Sequence, residues 1–156
     1  MNGKRIQVVG THLQNSGGAW VRHAQCVELY ERLLRPNKIQ GIPQIVCGDF
    51  NIEKTSSEAS YQIMLSSLDA EDGKLEGEKQ FNYDRLHNDL HVEKGKRQDL
   101  IYYILLRNNG AWANCVNRHI LVLRKKWDNH HEDLSDHYSM TAEINFTNFT
   151  SVVSLR

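Results

Sequence analysis

Apolar residues occur along this chain in short runs separated by longer polar stretches. Residues 4–11 and 45–47 predict strands because β-branched residues fill their centres. Between them, apolar positions recur at intervals of three and four over residues 19–35, the period of an amphipathic helix, and Pro36 ends the pattern. The first fifty residues therefore predict a βαβ-like unit, with both strand ends at one rim of a sheet.

The rest of the chain continues with further strands and one more helix. Ser56 or Ser57 can begin this helix, whose apolar stripe ends at Leu68. The charged, glycine-containing residues 69–80 predict a loop. Strands are predicted at residues 81–84, 99–106, 113–123 and 139–146, the last with alternating apolar positions. The pattern indicates an α/β fold.

Composition limits the possible partners. The chain has 156 residues, of which 40% are hydrophobic, so one domain with a core is expected. Lys+Arg and Asp+Glu number 19 each, and this balance argues against a general nucleic-acid binder. The apolar runs are too short for a transmembrane helix, and the first residues lack the apolar core of a signal peptide. Cys26, Cys47 and Cys115 have no metal-binding spacing and are expected in the core.

Polar side chains follow the first two predicted strands. His12 ends the first, and Asp49 and Asn51 follow the second through the turn at Gly48. If the backbone after the turn is still extended, Asp49 and Asn51, two residues apart, point to the same side and can act on one ligand. The alternative for this pair is a local cap on the following helix, and for His12 a hydrogen bond to a loop carbonyl.

Two more candidates stand beside later strands. Asp99 begins the apolar run 99–106, where a carboxylate either serves a site or marks the boundary with solvent. Asp136 and His137 precede the last strand. Histidine can exchange protons near neutral pH, so His12 and His137 are candidates for acid and base roles.

Four segments, residues 10–14, 48–51, 97–101 and 135–138, occur in the order and approximate spacing of the endonuclease/exonuclease/phosphatase superfamily. The flanking residues Arg22, Gln25 and Trp127 resemble its neutral sphingomyelinase C branch. The resemblance spans residues 6–146. It implies the C-terminal half of a four-layer fold of the β-sandwich type, a mixed sheet with flanking helices, so that residues 1–156 form a single partial domain.

The resemblance also implies roles at a phosphodiester. His137 would activate water, Asp99 would orient the ring of His137, and Asp49 would position or deprotonate the nucleophile. Asn51 and His12 would hold phosphate oxygens, with His12 protonating the leaving alkoxide. Asp136 would sit at or beside a catalytic Mg²⁺.

Two departures from the family pattern matter. The N-terminal half of superfamily domains supplies a glutamate that binds Mg²⁺, and this ligand is missing from the present chain. Weak or no turnover is therefore expected unless a second chain contributes it. The family motif Arg-Leu-Asp-Tyr-Ile is replaced by Arg97-Gln98-Asp99-Leu100-Ile101, so the carboxylate is retained while residues on both sides of it differ.

The function implied is that of a Mg²⁺-dependent phosphodiesterase that hydrolyses sphingomyelin to ceramide and phosphocholine. Its partners would be a phospholipid substrate and a membrane surface, together with a second copy or an N-terminal half. A secreted or membrane-associated location would follow. The alternatives are a nuclease of the same superfamily and a catalytically silent binding or scaffold domain.

Overall fold

The computed structural model describes residues 5–91, 95–111 and 113–146. Two α-helices are α1, Ala19–Leu29, and α2, Glu58–Leu68. The strands are β1 Gln7–His12, β2 Gln44–Asp49, β3 Glu71–Asp72, β4 Lys74–Glu76, β5 Tyr83–Asp84, β6 Gln98–Asp99, β7 Tyr102–Arg107, β8 Ala113–Leu121 and β9 Ser139–Phe146. No helix within the described ranges combines the length and apolar character needed to cross a membrane.

The sheet that carries the first two strands is mixed. Its order is β1-β2-β7-β3, with β1 parallel to β2 and β7 antiparallel to both β2 and β3. Two smaller sheets have the orders β4-β8-β9 and β5-β6. The βαβ-like start and the mixed α/β architecture predicted from the sequence are thereby confirmed.

The helices and the mixed sheet share one hydrophobic core. Cys26 and Leu34 from the first helical region and Met64 from α2 are fully buried with Val46 and Leu105 of the sheet. A π-helical turn at Tyr30–Leu34 extends α1, closed by a hydrogen bond from the Arg35 amide to the Tyr30 carbonyl at 2.9 Å. Complete burial of one leucine side chain stabilises the fold by about 1.5–3 kcal/mol.

Residues 69–80 are not only a loop, as the sequence predicted, because they contain β3 and β4. Their charged composition hid this. The Asp72 carboxylate is almost buried, accepts a hydrogen bond from the Tyr61 hydroxyl at 2.5 Å and lies 2.7 Å from the Arg118 guanidinium. Long-range partners therefore let the Asp72 carboxylate, 5% exposed, stand in a strand.

The predicted strand at residues 99–106 is two strands. Gln98 and Asp99 pair with β5, whereas pairing with β2 begins at Tyr102. The break arises because the Asn82 side-chain oxygen accepts hydrogen bonds from the amides of Ile101 and Tyr102 at 3.0 and 3.3 Å. Because these two amides bond to the Asn82 side chain, Asp99 is separated from the strand that joins the mixed sheet.

Candidate active site

Three polar residues stand side by side at one end of the mixed sheet. His12 of β1 is paired with Asp49 of β2, and Asp49 is paired with Tyr102 of β7. Directly paired residues project to the same sheet face, so the three side chains form one row. This row is the foundation of the candidate site.

Gly48 allows β1 and β2 to approach at this row. Its φ is +136°, and a Cβ built there would lie 1.9 Å from the Thr11 carbonyl oxygen. Leu13 also donates its amide hydrogen to the Asp49 carbonyl at 2.8 Å. A side chain at position 48 would therefore force apart the strands that carry His12 and Asp49.

Asn51 fixes the turn after β2. Its backbone is left-handed, with φ 51°, and its amide donates to Asp49 Oδ1 at 2.8 Å. Its side-chain Nδ2 donates to the Leu13 carbonyl at 2.9 Å, which ties this turn to the end of β1. Helix α2 begins only at Glu58, so Asp49 and Asn51 form a local turn without capping that helix.

The loop after β1 is held by α1. The Arg22 guanidinium lies 3.4–3.5 Å from the carbonyls of Gln14, Asn15 and Gly17. Gln25 accepts the Gln14 amide hydrogen at 3.0 Å. Arg22 and Gln25, which the sequence singled out only by their resemblance to the sphingomyelinase C branch, therefore shape the rim of the site.

A second loop brings Asp136 and His137 to the same place. His137 forms a bridge with Tyr83, and the Tyr138 amide donates to the Asn82 carbonyl at 2.9 Å. The buried Asn88 donates from Nδ2 to the Ser135 carbonyl at 2.8 Å. Segments distant in sequence thus set the position of His137.

The result is a cavity of about 700 Å³ that contains five of the six predicted site residues. His12, Asp49, Asn51, Asp136 and His137 all line it, together with Tyr83, His91 and Tyr102, among others. His12 Nε2 lies 3.6 Å and His137 Nδ1 3.9 Å from Asp49 Oδ2. One buried carboxylate therefore faces two histidines.

Burial raises the pKa of the Asp49 carboxyl above its usual value. The hydrogen bond from the Asn51 amide and the nearby histidines lower the pKa in part, while the Asp136 charge adds to the increase. The site therefore holds an anion in a place that disfavours charge, which is common where proton transfer takes place.

Asp99 lies outside this cavity. Its carboxylate accepts hydrogen bonds from the Thr55 amide at 3.1 Å, the Ser56 hydroxyl at 2.9 Å and its neighbour Leu100 at 2.8 Å. Among the described residues, the ion pairs of His137 are with Asp49 and Asp136. The expected contact between Asp99 and His137 is corrected accordingly: Asp99 holds the loop before α2.

Sequence reasoning missed Tyr102 and Asn82. Tyr102 was hidden in an apolar run, and only its register opposite Asp49 could have identified it. Asn82 is fully buried, and its side chain bonds both the amide and the carbonyl of Tyr102. Its place between two aromatic residues, Phe81 and Tyr83, was the available signal for a buried amide.

The described residues do not by themselves fit Mg²⁺. No group of three or more His, Cys, Asp or Glu side chains within them could hold a metal ion. One carboxylate oxygen of Asp49 accepts a hydrogen bond from the Asn51 amide, and Glu53 is already paired with Arg97. The Asp136 side chain is largely exposed. Mg²⁺ requires near-octahedral oxygen coordination, which these separated carboxylates do not provide.

Comparison with known proteins places this geometry in context. No protein-family model matches the chain. Phospholipase C from Staphylococcus aureus is 26% identical over 158 residues, covering 90% of this chain and 47% of the relative. The chain therefore spans about half the length of this curated relative, and it aligns with the C-terminal portion.

Solved structures show the same fold. Beta toxin from S. aureus superposes with a TM-score of 0.80 and 22% identity over 92% of this chain and 54% of its own. A beta toxin variant with bound magnesium ions superposes with a TM-score of 0.75 and is 21% identical, over 91% of this chain and 54% of its own. Sphingomyelinase C from Streptomyces griseocarneus superposes with a TM-score of 0.70 and is 22% identical, over 95% of this chain and 55% of its own.

An endonuclease/exonuclease/phosphatase family protein from Bacteroides thetaiotaomicron is more distant, with a TM-score of 0.63 and 17% identity over 90% of this chain and 48% of its own. The resemblance read from the four sequence segments is confirmed, and this chain has the fold of about half of an endonuclease/exonuclease/phosphatase domain of the sphingomyelinase C type.

Proposed function

We propose that this chain forms part of a phosphodiester-hydrolysing centre of the sphingomyelinase C type, which cleaves sphingomyelin to ceramide and phosphocholine. The supporting observation is the convergence of His12, Asp49 and His137 on one cavity, with both histidines within 4 Å of the Asp49 carboxylate. Relatives named phospholipase C and sphingomyelinase C support the substrate class. Such a substrate places the protein at a phospholipid surface, as a secreted or membrane-associated protein.

The proton transfers divide between the two histidines. His137 takes a proton from water as the water oxygen attacks phosphorus, and Asp49 stabilises the positive charge that develops on the imidazole. The bond from phosphorus to the ceramide oxygen breaks, and exposed His12 gives that oxygen a proton. Asn51 keeps the two strand ends together through its bond to Leu13. Positioned acids and bases of this kind contribute about 10²–10⁴-fold each.

The metal ligands are proposed to come from the other half of such a domain, which a partner chain supplies in the test below. A beta toxin structure contains magnesium ions, whereas the described residues of this chain lack a suitable ligand set. The chain also spans only about half of that relative. Val8 of the edge strand β1 is 61% exposed, so an apolar part of the mixed sheet is available for such a partner.

Complementation tests this proposal. The chain is mixed with the N-terminal half of the staphylococcal phospholipase C, and phosphocholine release from sphingomyelin vesicles is measured with Mg²⁺ and with EDTA. We expect Mg²⁺-dependent release from the mixture, little from either part, and a loss of at least about 100-fold with His137→Ala. No release from the mixture contradicts the hydrolytic proposal, and full release from this chain alone contradicts the need for a partner.

A catalytically silent binding domain is the second candidate, favoured by the missing set of metal ligands. Calorimetric titration with Mg²⁺ separates the two. A hydrolytic pair gives saturable heat in the mixture, whereas a silent domain gives none in any combination. An abasic-DNA substrate in the same assay tests the nuclease alternative, which predicts DNA cleavage without release of phosphocholine.

A further inference from the structure

We propose that Tyr102 is the positioning residue for His137, and that its hydroxyl holds the Asp49 carboxylate, in the place that the sequence motif assigned to Asp99. The inference rests on the proposed function, because it concerns the histidine that takes the proton from water. Under this proposal an aromatic side chain, and not a carboxylate, orients His137.

The first observation is the register of the mixed sheet. His12, Asp49 and Tyr102 are direct neighbours on β1, β2 and β7 and project to the same face. Asp99 precedes this row and belongs to a different sheet. Moving the family motif Arg-Leu-Asp-Tyr-Ile along by three residues matches its last two letters to Tyr103 and Ile104, and Tyr102 then occupies the position of the aspartate.

The second observation is how His137 is held. Its ring packs edge-to-face on Tyr102, with centroids 5.0 Å apart and an interplanar angle of 89°. Tyr83 packs on it at 5.2 Å and 86°. His137 Nδ1 is buried without a hydrogen-bond partner among the described residues, and Asp49 Oδ2 at 3.9 Å is too distant for one. Ring packing therefore orients this histidine.

The third observation concerns the Tyr102 hydroxyl. Burial raises the pKa of Tyr102 to about 12, and the nearby charges of Asp49 and Asp136 act in the same direction. The hydroxyl thus keeps its proton in neutral solution, and the direct pairing of Tyr102 with Asp49 across the sheet makes it the donor that the proposal assigns to the Asp49 carboxylate. Asn82 holds the backbone of Tyr102 in place, because its Nδ2 donates to the Tyr102 carbonyl at 3.0 Å.

Two groups of Tyr102 therefore have separable roles. The ring sets the orientation of His137, and the hydroxyl sets the position of Asp49. Tyr102→Phe removes only the second role, while Tyr102→Leu removes both. Asp99→Asn is the matched control, since Asp99 contacts the loop at Thr55 and Ser56 and lies outside the cavity.

NMR of the full chain with ¹³C-labelled histidine tests the ring. In the parent we expect NOEs between the Tyr102 and His137 rings and ring-current shifts of the His137 protons. Tyr102→Leu should lose the Tyr102 contribution to these shifts, Tyr102→Phe should keep it, and Asp99→Asn should leave the His137 signals unchanged. Absence of the NOEs in the parent overturns the proposal without any variant, as does a His137 shift caused by Asp99→Asn.

Kinetics of the complemented mixture test the consequence for turnover. Loss of the aromatic contact, worth about tenfold, together with loss of the hydroxyl, worth about fivefold, is expected to lower kcat for Tyr102→Leu by about 50-fold, with KM little changed. Loss of one hydrogen bond should lower kcat for Tyr102→Phe by about fivefold. An unchanged kcat in both variants overturns the positioning role. Because the NMR readout does not depend on hydrolysis, an inactive mixture with intact NOEs contradicts the proposed function alone.

Discussion

At the scale of single residues, Asp49 is a buried carboxylate that lines the cavity. Its side chain is only 5% exposed, yet it bonds a backbone amide and faces two histidines. Burial raises its pKa, which means that the folded protein disfavours the ionised carboxylate. The cost of this ionisation is absent at pH values below the ordinary carboxyl pKa of 3.8, where the group is protonated in both states, and develops as the pH rises through the folded pKa.

Asp49→Asn is therefore expected to separate stability from activity. The neutral amide keeps an acceptor for the Asn51 amide and removes the buried charge, so the free energy of unfolding at pH 7 should rise. This gain should shrink as the pH falls toward 4. Hydrolysis by the complemented mixture should fall by at least about 100-fold. Urea denaturation at several pH values and the vesicle assay measure the two effects.

Asp136→Asn is the stability control, because the Asp136 side chain is 65% exposed and should leave the free energy of unfolding unchanged. A lower stability of Asp49→Asn at neutral pH would show that the histidine contacts outweigh the cost of burial. Retained hydrolysis would remove Asp49 from the reaction.

At the scale of secondary-structure elements, the contact between β1 and β2 determines whether His12 and Asp49 meet. Six residue pairs align the two strands in parallel, and Gly48 stands opposite Thr11 one pair before the site. The strands are close enough there that no side chain fits at position 48. The site geometry thus depends on one backbone position.

Gly48→Ala should destabilise the chain by about 3 kcal/mol or more, from the clash with the Thr11 carbonyl and the strain at φ +136°. The row of His12 and Asp49 should widen, so hydrolysis should also be lost. Thermal and urea unfolding measure the first effect, and the vesicle assay measures the second.

Gly10→Ala on the neighbouring strand β1 is the matched control. A Cβ at Gly10 has no neighbour within 4 Å, so little change in stability is expected. Equal effects of the two substitutions would show that this strand pair tolerates neither added side chain, for reasons unrelated to the close approach at Gly48.

The existence of most elements followed from the sequence, but one important boundary did not. The apolar run at residues 99–106 has the local features of one strand, and nothing in it indicates a break. The break is caused by Asn82, which lies 19 and 20 residues earlier in the sequence. Its side-chain oxygen accepts the hydrogen bonds of the Ile101 and Tyr102 amides. A contact between separate segments decided which residue enters the site.

At the scale of the whole molecule, the mixed sheet is exposed at one edge. Strand β1 has β2 as its only neighbour within the described sheet, and Val8 on it is 61% exposed. Exposed edges with apolar side chains favour association with another strand or chain. Self-association of the chain and pairing with a second polypeptide are proposed to use this edge.

Val8→Lys should therefore weaken association while leaving the fold intact. A charged side chain on an edge strand opposes docking of a second apolar surface. We expect a smaller sedimentation coefficient at high concentration, and at least about tenfold less phosphocholine release at limiting concentrations of the two parts, with the same unfolding midpoint. Analytical ultracentrifugation, the vesicle assay and thermal unfolding provide the measurements.

Ile63→Lys serves as the control, since Ile63 is 44% exposed and belongs to helix α2 and not to the β1 edge. If both substitutions reduce complementation equally, the effect is one of general surface charge and the β1 edge has no special part in association.

The sequence by itself determined the succession of strands and helices and the placement of His12, Asp49 and His137 at strand ends. It could do so because periodicity and turn residues act between near neighbours in the chain. Only the tertiary structure decided that Tyr102, and not Asp99, stands beside His137, and that the carboxylates of the described residues fail to form a metal site. Strand register and side-chain convergence depend on contacts between distant segments, which no local pattern encodes.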